Sequence, residues 1–518
     1  MPAQLASPVP REGGWNLRGC SAAYVRWEVI QPRVPERLRK EHSYGVWSPP
    51  TGGMIGRMTF RPRSALLVVL LSLALVAGCG STGPTPSPAA GSPSASPLTS
   101  SATTAAPSTP TSASPTPGPT PATSCSAAGA SASFSPAPVG PDDPTAAVLT
   151  GIEGAVQRIR GITAASSVPR YMLDRVGLCA FLQQSMARDN PPAEVAATEA
   201  LDKQLGLMPA DASLEALYLD LLTSQVVGFY DQHSKAMYVV SSSGSIGPIE
   251  QITYAHEFDH ALQDQRFDLA SIVGTAHDQG DRTLARTALV EGDATLLMSL
   301  WAQQNLTPAE LLGVAGSTDP ASQAALDAAP PILRETLLWP YTQGLSLVLG
   351  AYQTSASFAG VDALWKNPPD TTEQLLHPDK LASREAAVAV AFPANFAKAL
   401  GSGWSIATQD TLGEMQLNIV MRTGSPGAGT DPAAGWGGDR AAMLRGPSGR
   451  MAAVLDTSWD TAAAASNAAA KLGQLATTLT TQGKHAAVLQ PSPERVVLIS
   501  ADSDATLSLV AGVLGLAG

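Results

Sequence analysis

The segment 252–269 reads "ITYAHEFDHALQDQRFDL" and carries two histidines four residues apart, with a glutamate directly after the first. Residues four apart lie on the same face of a helix, so His256 and His260 can direct ring nitrogens to one point. A zinc–imidazole bond is about 2.0–2.1 Å long, which such a pair can satisfy. Glu257 lies about 100° further around the helix, where it can take a proton from a metal-activated water. The spacing predicts a metal site.

A core helix whose histidines bond to neighbouring groups is the alternative. The chain has only seven histidines in 518 residues, so two at this spacing around a glutamate are improbable by chance. The same segment also carries an apolar stripe that would pack against a core, formed by Ala255, Phe258, Ala261 and Leu262. The pattern therefore favours a metal site on a helix packed against the core.

A catalytic zinc needs three protein ligands and one open position. The downstream candidates for the third ligand are His277, Asp278, Asp281, Glu291 and Asp293. His277 lies in the polar stretch "GTAHDQGDR", which is typical of a surface loop. Glu291 lies in the middle of the helical pattern "TALVEGDATLLM", where an unpaired carboxylate facing the core would be costly and a cation would suit it. Glu291 is the preferred third ligand, with a solvated helix face as the alternative.

The elements around this helix indicate an α+β chain that is mostly helical. Two strand patterns at 226–230 and 237–240, joined by a turn, precede the histidine helix and predict a short hairpin with an edge strand. Helical patterns dominate the rest of 141–400, which we interpret as one zincin-like domain. Strand-like and helix-like segments alternate over 401–518, which predicts a small C-terminal α/β module.

The HEFDH motif followed by a glutamate on a later helix resembles the gluzincin class of zinc metallopeptidases, with its thermolysin-like metal site. In that class an edge strand precedes the HExxH helix and lines the substrate cleft. The phrases "GFYDQHSKAMYVV", "ALVEGDATLLM", "LWPYTQG" and "TTEQLLHPDKL" are similar to those of bacterial secreted or lipid-anchored HExxH proteins. The likeness spans roughly residues 150–450.

The resemblance implies that His256, His260 and Glu291 bind Zn²⁺ and that Glu257 is the general base. The implied function is a zinc metallopeptidase that hydrolyses peptide bonds of a polypeptide substrate with a metal-activated water. An oxyanion-stabilising donor is expected from Tyr341, with His377 as the other candidate. A catalytically silent relative that acts as a binding or scaffold factor in the cell envelope is the alternative function.

One position departs from the thermolysin-like pattern. That pattern has an aspartate four residues after the ligand glutamate, which orients a histidine, whereas this chain has Thr295. Asp293 and Asp264 are the candidates to take over that role. The interval from His260 to Glu291 is also longer than in compact members, which allows an inserted loop around 270–282.

The N-terminal part predicts an anchored protein. Residues 54–79, "MIGRMTFRPRSALLVVLLSLALVAGC", have a basic start, a short apolar run and small residues before Cys79, as in a bacterial lipoprotein signal peptide. We interpret 1–53 as a mis-called extension, and Cys79 as the lipidated residue that anchors the chain to the outer face of the cytoplasmic membrane. A core helix with a chance cysteine is the alternative. Residues 80–140 are rich in Ser, Thr, Pro and Ala and predict a disordered linker.

Charge and cysteine content limit the remaining possibilities. A net charge of -11 argues against a nucleic-acid partner, which would require a basic face. The four cysteines contain no CxxC pair, which argues against a thiolate zinc site. In an oxidising compartment Cys125 and Cys179 could form a disulfide, or Cys125 could be free and Cys179 buried.

Overall fold

The structure is a computed structural model that describes residues 125, 134–241, 244–274, 278–317, 319–425 and 431–516. The predicted extension, signal peptide, lipidated Cys79 and almost all of the predicted linker lie outside these residues, as does His277. These interpretations therefore stay predictions.

Helices make up most of the described chain. Numbered along the chain, they are α1 (Ala146–Arg160), α2 (Arg175–Asp189), α3 (Pro192–Gln204), α4 (Leu214–Gln225), α5 (Pro248–Phe267), α6 (Leu269–Val273), α7 (Gly280–Asn305), α8 (Pro308–Gly316), α9 (Pro320–Ala328), α10 (Pro331–Ser355), α11 (Phe358–Lys366), α12 (Thr372–Leu376), α13 (Pro378–Ser383), α14 (Phe396–Ala399), α15 (Gly413–Gly424), α16 (Ala462–Thr481) and α17 (Asp504–Val513). The strands are β1 (Ala137–Pro138), β2 (Arg170–Leu173), β3 (Gly228–Asp231), β4 (Ala236–Val240), β5 (Ser405–Asp410), β6 (Trp436–Arg445), β7 (Met451–Trp459), β8 (His485–Ser492) and β9 (Arg495–Ala501).

The first sheet has four strands in the order β1-β2-β4-β3. Strands β3 and β4 form the predicted antiparallel hairpin, and its turn contains Lys235 in the left-handed region at φ 53°. Strand β2 pairs with β4 in parallel, an arrangement that the sequence reading did not include. Because β3 is at the edge of the sheet, its outer side is available to α5, which packs against it.

Helices α5, α7 and α10 form the centre of the helical part. Two glycines allow α7 and α10 to approach with backbone against backbone: a methyl group added at Gly344 would lie 1.9 Å from the backbone oxygen of Ala288. One added at Gly292 would lie 2.2 Å from the backbone of Gly344. Helix α10 continues through Pro340, although proline disfavours the interior of a helix. Tyr341 is therefore held in the middle of a long helix.

The C-terminal residues form a five-stranded antiparallel sheet in the order β5-β6-β7-β9-β8, with α16 and α17 packed against it. Its largest apolar core is shared with helices of the preceding part, including α3, α7 and α10. The start of α7 is held by this sheet region, since Gly280 N–H donates to Asp410 Oδ1 at 2.7 Å and Asp281 N–H donates to the carbonyl of Thr411. The predicted α+β class, mostly helical with a C-terminal sheet module, is confirmed.

Cys125 and Cys179 are joined by a disulfide bond, which resolves the alternative that the sequence left open. The bond lies in an apolar cluster with Phe181 and Leu222. Within the described ranges, the helices lack the combination of length and apolar character that crossing a bilayer requires.

Candidate metal centre

Helix α5 carries the two histidines and is buried on every side. Gly247 precedes it and Pro248 occupies its first turn, where the missing N–H of proline has no cost, while Glu250 accepts from Gly247 N–H at 3.0 Å. The whole stretch 252–264 is buried, so the predicted apolar stripe is only part of the packed surface. Polar side chains at His256, Glu257 and His260 therefore need partners within the protein.

The structure brings the three predicted ligands together. His256 Nε2 lies 3.0 Å from His260 Nε2 and 3.2 Å from Glu291 Oε2, and His260 Nε2 lies 3.4 Å from the same Glu291 oxygen. With zinc–ligand bonds of about 2.0–2.1 Å, neighbouring ligand atoms of a tetrahedral site are about 3.3 Å apart. The three atoms thus form a triangle of the size of one face of that tetrahedron. The group could hold a metal ion.

Burial and charge fit a divalent cation. His256, Glu257, His260 and Glu291 are each at most 1% exposed. Glu291 Oε1 is buried and has no hydrogen-bond donor among the described residues. With Glu257 and Glu291 ionised and both imidazoles neutral, the form that metal binding requires, the centre has a charge of −2, which a divalent cation would neutralise.

The proton on His260 is directed away from the centre by Gln263. His260 Nδ1 lies 2.9 Å from Gln263 Oε1, while the Gln263 amide nitrogen donates to Asp259 Oδ2 and to the carbonyl of Val290. Because the amide nitrogen has these two acceptors, its oxygen must face the imidazole, and Nδ1 must be the donor. Nε2 then presents its lone pair to the centre, as a metal ligand must.

Glu257 lies beside the triangle and is held by the edge strand. Tyr230 N–H of β3 donates to Glu257 Oε2 at 3.1 Å. Burial raises the pKa of Glu257 to about 8, although the positive charge of His260 opposes this. A cation at the centre would shift that pKa downwards and favour the carboxylate that a general base needs.

The three predicted ligands strongly influence one another's protonation. Burial lowers the pKa of His260, but the charge of Glu291, the bond to Glu291 and the charge of Glu257 together outweigh burial and raise the pKa to about 10. Burial lowers the pKa of His256, and its bond to Glu291 only partly compensates. Burial raises the pKa of Glu291, but the positive charge of His260 and the bonds from both histidines together outweigh burial, and the pKa falls below its usual value. Without a cation, the triangle is stabilised by a proton on the histidines.

Tyr341 lies at the centre, and His377 does not join it. The Tyr341 ring stacks on His256 with centroids 6.1 Å apart, and Tyr341 is 2% exposed. His377 instead bonds to Glu414 at 2.9 Å, in a separate group of residues. The oxyanion role of Tyr341 stays a prediction, while His377 is placed elsewhere by the fold.

Neither aspartate suggested for orienting a histidine does so. Asp264 accepts from Tyr230 Oη at 2.7 Å and from Lys235 Nζ at 2.5 Å. Asp293 accepts from Arg160 Nη2 at 2.9 Å and from Trp365 Nε1 at 2.8 Å. Neither carboxylate has a hydrogen bond to His256 or His260, and the orienting contact to His260 comes from Gln263.

A buried arginine behind the centre was missed by the sequence reading. Arg160 at the end of α1 is 2% exposed and donates to Asp293 and to Asp362. The negative charge of Asp259 also acts on it. Arg160 thereby balances acids on α5 and α7, the two helices that supply the ligands. Arg158 and Arg160 both lie in the last turn of α1, and nothing in that segment distinguishes Arg160 as the buried one.

The C-terminal sheet module matches a known family model. Residues 404–511 match the model of a domain of unknown function, DUF8575. No curated protein and no solved structure matches the chain. The matched region covers the C-terminal sheet module and does not include α5 or α7, so the function of the centre has to be argued from its geometry.

Proposed function

We propose that the chain is a zinc-dependent peptidase whose metal is held by His256, His260 and Glu291. The observation that carries the proposal is the triangle of donor atoms, 3.0–3.4 Å on a side, with Glu257 directly beside it. A purely structural zinc site would not need Glu257, since such sites are closed by four ligands. Three protein donors and an adjacent carboxylate are the set that metal-assisted hydrolysis requires.

Each residue would have a distinct task. Bound Zn²⁺ supplies a Lewis acid that polarises a carbonyl and lowers the pKa of a water to about 7. Glu257 would take the water proton and pass it to the leaving amine, while Tyr230 N–H fixes its Oε2. Gln263 keeps His260 in the tautomer that binds the metal. Tyr341 would stabilise the developing oxyanion with its hydroxyl.

The burial of the centre favours a second candidate function. Ligands that are at most 1% exposed are not reached by a polypeptide unless covering residues move. A protein that uses the same metal to stabilise its fold, and that acts in the cell envelope by binding, would need no such movement. This second function predicts a bound ion without turnover.

One comparison separates the two functions. The full chain and its Glu257→Gln variant would be analysed for bound zinc and incubated with casein and with a quenched peptide library. A peptidase should contain one zinc at this centre in both proteins and lose turnover by about 10²-fold or more in the variant. Zinc in both proteins, with no turnover in either, would refute the peptidase and support the binding function.

We further propose that the chain is anchored outside the cytoplasmic membrane by a lipid on Cys79. Support comes from the basic, apolar and small-residue order of 54–79 and from the Cys125–Cys179 disulfide, which fits an oxidising compartment. A Cys79→Ser variant should move from the membrane fraction to the soluble fraction. Equal membrane recovery of both forms would contradict the anchor.

A further inference from the structure

A second group of chemically reactive side chains lies at the junction of α12, α13 and α15. His377 Nε2 is 2.9 Å from Glu414 Oε1 and 3.8 Å from Asp431 Oδ2. One donor atom of each residue lies within 4.8 Å of the other two. None of these residues contributes to the centre on α5 and α7. The proposed hydrolysis leaves the group without a role.

The Glu414 carboxylate has a buried oxygen that a bound cation would satisfy. Glu414 is 0% exposed, its Oε1 faces His377, and its Oε2 is buried without a hydrogen-bond donor among the described residues. Asp431 Oδ1 is buried and lacks a donor in the same part of the chain. Two neighbouring carboxylates repel each other unless a proton or a cation lies between them. Burial, with the charge of Asp431, raises the pKa of Glu414 to about 10.

The nearest lysine is already committed to other acids. Lys380 bonds to Glu373 at 2.6 Å, to Glu385 at 2.9 Å and to Asp460 at 2.5 Å. Its three donor hydrogens therefore have partners, and a lysine has no others to give. Lys380 therefore leaves Glu414 and Asp431 to be neutralised by a proton or by a cation, and His377 supplies at most one positive charge.

We propose that His377, Glu414 and Asp431 bind a second divalent cation, Zn²⁺ or Mn²⁺. One imidazole and two carboxylates suit these borderline ions, whereas Ca²⁺ takes oxygen ligands. The side chains of His377 and Asp431 are 30% and 31% exposed, so the ion can enter from solvent and water can complete its shell. The donor atoms lie within 4.8 Å of one another, and a small inward movement of the partly exposed Asp431 would bring it closer to His377.

The ion would fasten three segments that are far apart in sequence. The chain next to Asp431 is fixed, since Asn418 accepts from Ala433 N–H at 2.9 Å. On the other side, α12 begins at Thr372, whose hydroxyl donates to Asp281 at the start of α7. A cation at this junction thus stabilises the connection between the C-terminal module and the helix that supplies Glu291.

Zinc stoichiometry of the full chain tests the proposal. Wild type, Glu414→Gln, Glu291→Gln and the control Glu335→Gln would be equilibrated with Zn²⁺ by dialysis and measured by elemental analysis. Glu335 is a suitable control because it is a partly buried glutamate paired with Arg422 and lies outside the groups of described residues that could hold a metal ion. We expect two ions in wild type and Glu335→Gln, and one ion in each of the other two variants. Circular dichroism checks folding, and His377→Gln is the replacement should Glu414→Gln fail to fold.

The outcomes distinguish this site from the first. One ion in wild type, lost only in Glu291→Gln, would overturn the proposal and leave a proton shared by Glu414 and Asp431. Two ions retained in both Glu414→Gln and His377→Gln would also overturn it. One ion lost in Glu414→Gln but kept in Glu291→Gln would support the second site and refute the first.

Discussion

Replacing Gln263 tests whether the tautomer of His260 controls metal affinity. Gln263→Leu removes the acceptor that lies 2.9 Å from His260 Nδ1. Loss of such an orienting partner costs about 10–100-fold in metal affinity, or about 1.4–2.7 kcal/mol. The change also leaves Asp259 Oδ2 and the Val290 carbonyl without their donor, which costs about 1–3 kcal/mol of stability per group.

Affinity and stability can be measured separately. Zn²⁺ affinity would come from competition with a chromophoric chelator, and stability from urea unfolding in excess chelator. Gln263→Glu keeps an acceptor for His260 but loses the two donations, so it should bind Zn²⁺ nearly as wild type does while being less stable. Gln265→Leu, on the same helix, loses only exposed contacts to the 165–166 backbone and should not change affinity. Wild-type Zn²⁺ affinity in Gln263→Leu would show that the contact to Gln263 does not control metal affinity.

Three further perturbations have defined outcomes. Gly344→Ala should destabilise the fold by about 3 kcal/mol or more, because its methyl group would lie 1.9 Å from the Ala288 oxygen. The control Gly350→Ala has open space around the added methyl group and should be neutral or stabilising. Equal urea midpoints for the two variants would contradict the steric clash at Gly344. Arg160→Met leaves the Asp293 charge buried without its partner and should lower the free energy of unfolding by about 3–5 kcal/mol. The double variant Arg160→Met/Asp293→Asn should recover most of this loss. A double variant as unstable as Arg160→Met would argue against charge pairing. Burial raises the pKa of Asp281 to about 8, above the value of about 3.9 in an unfolded chain, so the folded state holds a proton that the unfolded state releases. The contribution of Asp281 to stability is therefore full below about pH 4 and falls as pH rises towards 8. In the presence of chelator, Asp281→Asn should reduce the decline of the urea midpoint between pH 5 and pH 8. An unchanged decline would exclude Asp281 as the source of the pH dependence.

The local part of the centre could be predicted from sequence because helix geometry alone determines it. His256, Glu257 and His260 lie on one helical turn, so their spacing defines their arrangement. Glu291 could be chosen because a carboxylate in an apolar helical pattern needs a partner. Gln263 was missed, although it lies three residues after His260 and the same periodicity places it next to that histidine. The spacing of His260 and Gln263 therefore contains enough information to predict their contact.

The remaining contacts depend on long-range packing. Arg160 meets Asp293 across more than a hundred residues, and nothing in its own segment indicates an acidic partner. The parallel pairing of β2 with β4 joins two strands separated by three helices, and β2 is only four residues long. The close approach of Gly292 and Gly344 depends on how two helices cross, which single-helix patterns do not specify. The helix through Pro340 persists because tertiary packing outweighs the local preference of proline.

The glycine contact between α7 and α10 also restricts how a substrate could enter. Backbones that touch at Gly292 and Gly344 cannot slide past each other without a steric clash, so the two helices must move together. Glu291 and Tyr341 are carried by these helices and would keep their relative positions during any opening. If the chain is the proposed peptidase, displacement of the β3–β4 hairpin, where Tyr230 N–H contacts Glu257, would open a route that keeps these two helices together. A peptide bound there could donate a backbone N–H to Glu257 in place of Tyr230.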